Sequence, residues 1–215
     1  MKITLTNIGK RFNRERIFGG LTHTFTDSEN TVILGANGSG KSTLLQIIAG
    51  SASASEGELS YSHAGKDILP ENLFRSISFS SPYMELLEEL SLEEHIRFHA
   101  GLKPFRNGIQ LDQVPDIAGL AHAKHKQIRH YSSGMKQRIR LTLAVLSDTP
   151  LLLLDEPCSN LDRKAIQWYQ DLVAAHSSGR LILVCSNQQE FEYPFCPAKI
   201  EMETYKRKLT PQTAL

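Results

Sequence analysis

Apolar positions along this 215-residue chain change rhythm three times, and each change marks a different kind of element. Residues 2–6, 17–26 and 31–35 alternate or run apolar as strands, with Asp27-Ser28-Glu29-Asn30 as a tight turn between the last two. Leu44-Leu45-Gln46-Ile47-Ile48-Ala49 has helical character, and residues 57–61 and 76–80 return to the strand pattern. From about 83 to 147 the period is helical. In that stretch Ser91-Leu92-Glu93-Glu94 is a capping box that starts a helix through His99, and Ile139, Leu141, Leu143, Ala144 and Leu146 form an apolar stripe. Breaks fall at 103–108, 114–115 and 131–134. A buried strand at 151–154, an amphipathic helix at 163–175 and a strand at 181–185 follow, with a further strand expected at about 198–209. The pattern predicts an α/β fold: a core from 1–82 and 148–215 with a β-rich N-terminal edge, carrying 83–147 as a helical insertion longer than an ordinary loop.

The strand at 31–35 leads directly into Gly35-Ala36-Asn37-Gly38-Ser39-Gly40-Lys41-Ser42-Thr43, and the helix opens immediately after it. Strand, glycine-rich loop and helix in that order turn a helix N-terminus into a phosphate site. Gly35, Gly38 and Gly40 free the backbone so that the amides from Asn37 to Thr43, Ser39 included, can converge on phosphate oxygens. Lys41 adds a cation at the β- and γ-phosphates, and Ser42 offers a hydroxyl to Mg²⁺.

Leu151-Leu152-Leu153-Leu154-Asp155-Glu156-Pro157 ends a fully apolar strand in two acids. A strand buried on both faces belongs in the middle of a parallel sheet, whose carboxyl edge is where ligands sit. Asp155 is suited to Mg²⁺, and Glu156 to polarising a water for in-line attack on a γ-phosphate. A plain strand-end turn is the alternative, and the phosphate loop in the same chain weighs against it. Between the two motifs, Tyr131-Ser132-Ser133-Gly134-Met135 delivers a second hydroxyl-rich turn to a helix N-terminus, which is either a second anion site or ordinary capping.

In order and spacing these elements resemble the ATP-binding cassette (ABC) ATPases, from about residue 2 to 190. Residues 35–43 resemble the Walker A loop, 131–135 the signature loop, 151–156 Walker B, and Ser159-Asn160-Leu161-Asp162 the D-loop. The resemblance implies a P-loop NTPase core with a mainly parallel central sheet. It implies ATP and Mg²⁺ as ligands and a head-to-tail homodimer or heterodimer. In such a dimer Ser132, Ser133 and Gly134 of one subunit meet the γ-phosphate held by the other. It further implies that Phe12 stacks on adenine, although a core phenylalanine at a strand end reads nearly as well.

Three departures from the family pattern stand out. No glutamine follows 77–79, where the chain runs Ser80-Ser81-Pro82-Tyr83, leaving that side of the metal to Ser81 or to water. The signature has Ser133 and Met135 in place of a glycine and a glutamine. Asn187, or Ser186 if the register slips by one, stands where the family has a histidine on the γ-phosphate. A carboxamide donates a hydrogen bond but never becomes cationic, so slow basal turnover is expected. His95 and His99 are four apart, a spacing a metal could use, but Ile96 stands where a zinc-protease motif needs Glu. They read as structural, and His122, His125 and His130 as surface residues.

Charge is balanced, 24 Lys+Arg against 23 Asp+Glu, so no global field calls for nucleic acid. Cys158, Cys185 and Cys196 have no C-x-x-C spacing and fit a reducing compartment. Met1 to Asn7 lacks the apolar stretch of an export signal, and no apolar run is long enough to span a bilayer. The expected function is the ATP-hydrolysing subunit of a membrane transporter, peripheral on the cytoplasmic face and bound to integral permease subunits. Tyr83, Leu86, Leu87 and Leu90 are candidates for meeting those partners. The alternative is a soluble ABC-type ATPase or a slow ATP clamp outside transport.

Overall fold

The computed structural model describes residues 1–13 and 15–206. In chain order the elements are β1 (Lys2–Phe12), β2 (Glu15–Thr26), β3 (Thr31–Leu34), α1 (Lys41–Ile48), β4 (Glu56–His63), β5 (Lys66–Asp67) and β6 (Ile77–Ser80). They continue with α2 (Leu92–Leu102), α3 (Val114–Ile117), α4 (Ser133–Leu146), β7 (Leu151–Asp155), α5 (Arg163–His176), β8 (Leu181–Ser186) and β9 (Ala198–Glu201).

Two sheets form. One is antiparallel, ordered β2-β1-β4-β5, and the other runs β6-β7-β8-β3-β9. Every pairing in the second is parallel, with Ile33 opposite Cys185 and Asp155 opposite Cys185 on its other side. The N-terminal strands therefore make a sheet of their own rather than an edge of the parallel one.

Residues of β3, β7 and β8 are buried without exception, which is why they read as unbroken apolar runs. Their side chains still alternate between two cores. Val32, Leu34, Leu152, Leu154, Ile182 and Val184 pack on one face with Leu92, Ile96, Ile139, Leu141 and Tyr169 from α2, α4 and α5. Ile33, Leu151, Leu153, Leu181, Leu183 and Cys185 pack on the other with α1 and with Ile3, Leu5, Phe18, Leu21 and Phe25 of the antiparallel sheet. This layering sets the carboxyl ends of β7, β8 and β3 side by side, and three loops leave from them.

Several boundaries differ from the sequence expectation. β1 runs on to Phe12 because left-handed Asn7 (φ 54°) and register shifts between Leu5 and Arg11 break the alternation without ending the pairing. Residues 83–90 contain no helix, and the rest of 83–147 holds α2, the four-residue α3, α4 and isolated 3₁₀ turns. The irregular stretch is held by side chains and by backbone bonds to the loop before α4: Arg140 Nε donates to Met84 O (2.6 Å), Lys136 Nζ pairs with Glu88 (2.5 Å), and Ile128 N–H and Arg129 N–H donate to Leu90 O and Glu88 O (2.9 Å each). The capping box at Ser91 and Glu94 is present. The last strand ends at Glu201 and gives way to a 3₁₀ turn at Met202–Tyr205, while 207–209 lie outside the described residues.

Candidate functional site

The loop after β3 folds through a turn in which Ser39 N–H donates to Ala36 O (3.0 Å). Gly40 takes φ 96°, and a Cβ there would come within 2.8 Å of Ile17 Cγ2 and Phe18 Cδ1, so the loop can lie against β2 only as glycine. α1 begins at once, with no side chain capping its N-terminus and no acid in its first turn. Its leading amides are thus left for an anion. Lys41 is only 4% exposed, and its side chain folds back so that Nζ donates to Gly35 O (2.7 Å) and Ala36 O (3.2 Å).

Ser42 Oγ donates to Asp155 Oδ1 at 3.0 Å, joining the phosphate loop to the end of β7 across 113 residues of sequence. Ser81 Oγ lies 3.4 Å from the other oxygen, Asp155 Oδ2. Two hydroxyls therefore share one carboxylate, and the second comes from the Ser80–Tyr83 stretch that carries no glutamine. Asp155 is 2% exposed. Burial pushes its carboxyl above the usual aspartate range, with Glu156 adding to the rise and the Ser42 and Ser81 bonds and Lys41 opposing it.

Glu156 is left-handed (φ 42°) and its N–H donates to Cys185 O (2.9 Å), a geometry that turns the chain out of β7 just past the sheet. An open cavity of about 220 Å³ is lined by Asn37, Glu156, Cys158, Ser159, Asn187 and Glu192, among others. The phosphate loop, the acid turn and the loop after β8 thus face one another. Asn187 is exposed there, whereas Ser186 is buried and donates to Glu192 Oε2. Of the two, Asn187 lines the cavity and Ser186 does not.

Ser132, Ser133 and Gly134 do not line that cavity. Ser132 caps α4, its Oγ accepting from Met135 N–H (3.2 Å), and both serines are exposed. A Cβ on Gly134 would lie 2.9 Å from Asn160 O, which gives the surviving signature glycine a steric reason. Phe12 is 51% exposed at the end of β1, with Lys10 Nζ 4.9 Å from its ring centroid, so it is not a core residue.

Other candidates have packing roles. His95 is buried. His99 Nε2 bonds Ser147 Oγ (2.9 Å) and its ring stacks on Phe105. His122, His125 and His130 are exposed. Tyr83 (85% exposed) and Leu87 stand out from the surface, while Leu86 and Leu90 are half-buried. Beside them a cavity of about 290 Å³ is lined by Phe79, Met84, Leu86, Leu102, Lys103 and Arg140, among others.

Three further residues touch the site without any local signal in the sequence. Gln137 of α4, fully buried, donates to Pro157 O (2.9 Å) in the turn after Glu156. Glu203 Oε1 accepts Ala36 N–H (2.7 Å), and that bond pulls its carboxyl below the usual glutamate range. Glu192 joins the turns after β7 and β8.

The profile of the ABC transporter family matches residues 18–159. The cytochrome c biogenesis ATP-binding export protein CcmA of Agrobacterium fabrum is 31% identical over 194 residues, covering 87% of this chain and 90% of that protein. The CcmA of Xanthomonas campestris pv. campestris is 33% identical over 171 residues, covering 78% and 77%. Among solved structures, a dimeric ATP-binding cassette in a post-hydrolysis state, bound to ADP and Pi, superposes with a TM-score of 0.78 at 21% identity, covering 93% of each chain. The ATP-binding subunit of an ABC transporter gives a TM-score of 0.78 at 24% identity, covering 94% of this chain and 85% of that one.

Proposed function

The chain belongs to the ABC transporter family, and from that premise we propose how its residues divide the work of binding and hydrolysing ATP. The protein is an ATP-binding, ATP-hydrolysing transporter subunit. The observation that supports the residue assignment most is the 3.0 Å bond between Ser42 Oγ and Asp155 Oδ1, because it sets a hydroxyl and a carboxylate together at the mouth of an uncapped helix N-terminus.

In this reading the amides of 37–43 cradle the β- and γ-phosphates, and Lys41 Nζ leaves the Gly35 and Ala36 carbonyls to meet them. Ser42 and Asp155 are hard oxygen donors of the kind Mg²⁺ takes in nucleotide sites, where one or two protein ligands suffice. Bound there, Mg²⁺ would neutralise charge on the phosphates. Ser81 orients the far oxygen of Asp155 in place of the absent glutamine. Glu156 accepts the proton of the attacking water, and Asn187 donates to the γ-phosphate across the cavity both line. Phe12 offers its exposed ring to the adenine.

Ser132, Ser133 and Gly134 serve the nucleotide of a second subunit, in a homodimer or heterodimer; the exposure of both serines and the absence of all three from the lining of this chain's own cavity support that division. Residues 1–82 and 148–215 act as the nucleotide core, and 83–147 as the segment that carries the signature and meets the permease through Tyr83, Leu87 and the neighbouring cavity. Among the described residues no helix is long and apolar enough to cross a membrane. Peripheral attachment at the cytoplasmic face through those permease subunits follows from this reading. Export is the favoured direction, since both curated relatives reported above are named export proteins.

Steady-state ATP hydrolysis by wild type and Glu156→Gln tests the assignment. Loss of the base should lower turnover by about 10²–10⁴-fold while nucleotide binding persists. Undiminished turnover would remove Glu156 from the mechanism.

A further inference from the structure

Glu192 is a buried carboxylate to which hydrolysis as described above gives no task. It is 4% exposed, in the 3₁₀ turn Glu190–Glu192, and among the described residues it forms no ion pair. Both of its oxygens are nonetheless engaged, on two different segments. Oε1 accepts Cys158 N–H at 3.1 Å, two residues after Glu156, and Oε2 accepts the hydroxyl of Ser186, the residue before Asn187. The bridge is itself held in place. Ser186 Oγ accepts Gln189 N–H (3.1 Å), and the Glu192 carbonyl accepts the hydroxyl of fully buried Tyr169 (2.8 Å).

We propose that Glu192 is a positioning residue for ATP hydrolysis, a two-armed clamp that fixes the turn presenting Glu156 against the loop presenting Asn187 across the cavity all three line. The proposal rests on the ATPase reading above. Base, water and γ-phosphate must align closely, and a misplacement of about 1 Å can slow a reaction by about 10²-fold. The clamp touches only the wall that carries the reacting groups. The wall that grips the phosphates, residues 35–43 with Lys41, is built on β3 and α1 and makes no hydrogen bond to Glu192. Loss of the clamp should therefore appear in kcat and spare KM.

The test compares Glu192→Ala, Glu192→Gln and Ser186→Ala with wild type, by kcat and KM for Mg-ATP and by amide hydrogen exchange without nucleotide. Glu192→Ala should lower kcat by about 10-fold or more with KM changed less than about 3-fold, and Glu192→Gln should recover most of the rate, because its amide can accept from Cys158 and donate to Ser186. Ser186→Ala, a smaller change that removes one arm, should lower kcat by about 3–10-fold and keeps the question open to decision if Glu192→Ala does not fold. Exchange at Cys158 and Gln189 should quicken in Glu192→Ala, return in Glu192→Gln, and leave α1 untouched. A kcat near wild type in Glu192→Ala and Ser186→Ala, or kcat and KM moving together, overturns the proposal. A wild type that neither binds nor hydrolyses Mg-ATP sinks the ATPase reading instead. In that case unchanged exchange at Cys158 and Gln189 still rules out the clamp, and quickened exchange confined to those amides still supports it.

Discussion

Two helix N-termini are the candidate anion sites of this chain, α1 after β3 and α4 after the turn at Ser132, and their surroundings differ. Around α1, Lys41 and Asp155 are buried, Ser42 is held by Asp155, and no side chain caps the first turn. At α4, Ser132 and Ser133 are exposed and Ser132 already satisfies the Met135 amide. The first terminus is shaped by strand ends packed on both faces, so its geometry exists before any ligand arrives. The second stands on a segment held by side-chain bonds such as Arg140 to Met84 and Gln137 to Pro157, and it does not line this chain's cavity. In the proposed reading, such a chain holds one finished half of a site and offers the other half to a neighbour.

Acid should separate the two regions further. Burial raises Asp155 and Glu192 above their ordinary values, so in that window the folded core holds more protons than the unfolded chain and loses none of its footing as pH falls. Burial lowers His99 to about 4, with Lys103 and His95 adding to the effect. The unfolded chain takes up that proton near 6.5 and the folded one only near 4, so stability is fully present above 6.5 and is lost as pH falls toward 4. The loss is on the order of 2–3 kcal/mol. Urea unfolding across pH 7.5 to 4.5 should show a shallower acid slope for His99→Gln than for wild type, and equal slopes would contradict this account of the helical segment.

A smaller effect tests the finished half. Asn187→His puts a group able to carry charge where a carboxamide now stands, and should raise basal ATP turnover by about 3–10-fold. An unchanged or lower rate would place Asn187 away from the γ-phosphate.

Where the determinants are contiguous, the sequence is readable. Gly35 to Thr43 and Leu151 to Glu156 each carry their chemistry within one turn and one strand, and β3, β7 and β8 stand out because burial on both faces leaves only apolar side chains. The capping box at Ser91 is equally local. The continuation of β1 is hidden by the bulged Asn7, and the irregular course of 83–90 by polar bonds to partners on α4 and the loop before it. Ser81 and Asp155, Glu192 and Cys158, and Glu203 and Ala36 meet across 74, 34 and 167 residues, and no periodicity links such pairs. The sequence thus exposes the candidate ligand groups and conceals those that hold them in place.

The central claim is that one chain supplies two unlike halves, to be joined by nucleotide. Sedimentation velocity of Glu156→Gln, with and without Mg-ATP, tests it most directly. The account predicts a monomer without nucleotide and a dimer with it, formed with a second copy or, for a heterodimer, with the paired subunit added. A chain that saturates with Mg-ATP and stays monomeric in both settings would contradict it.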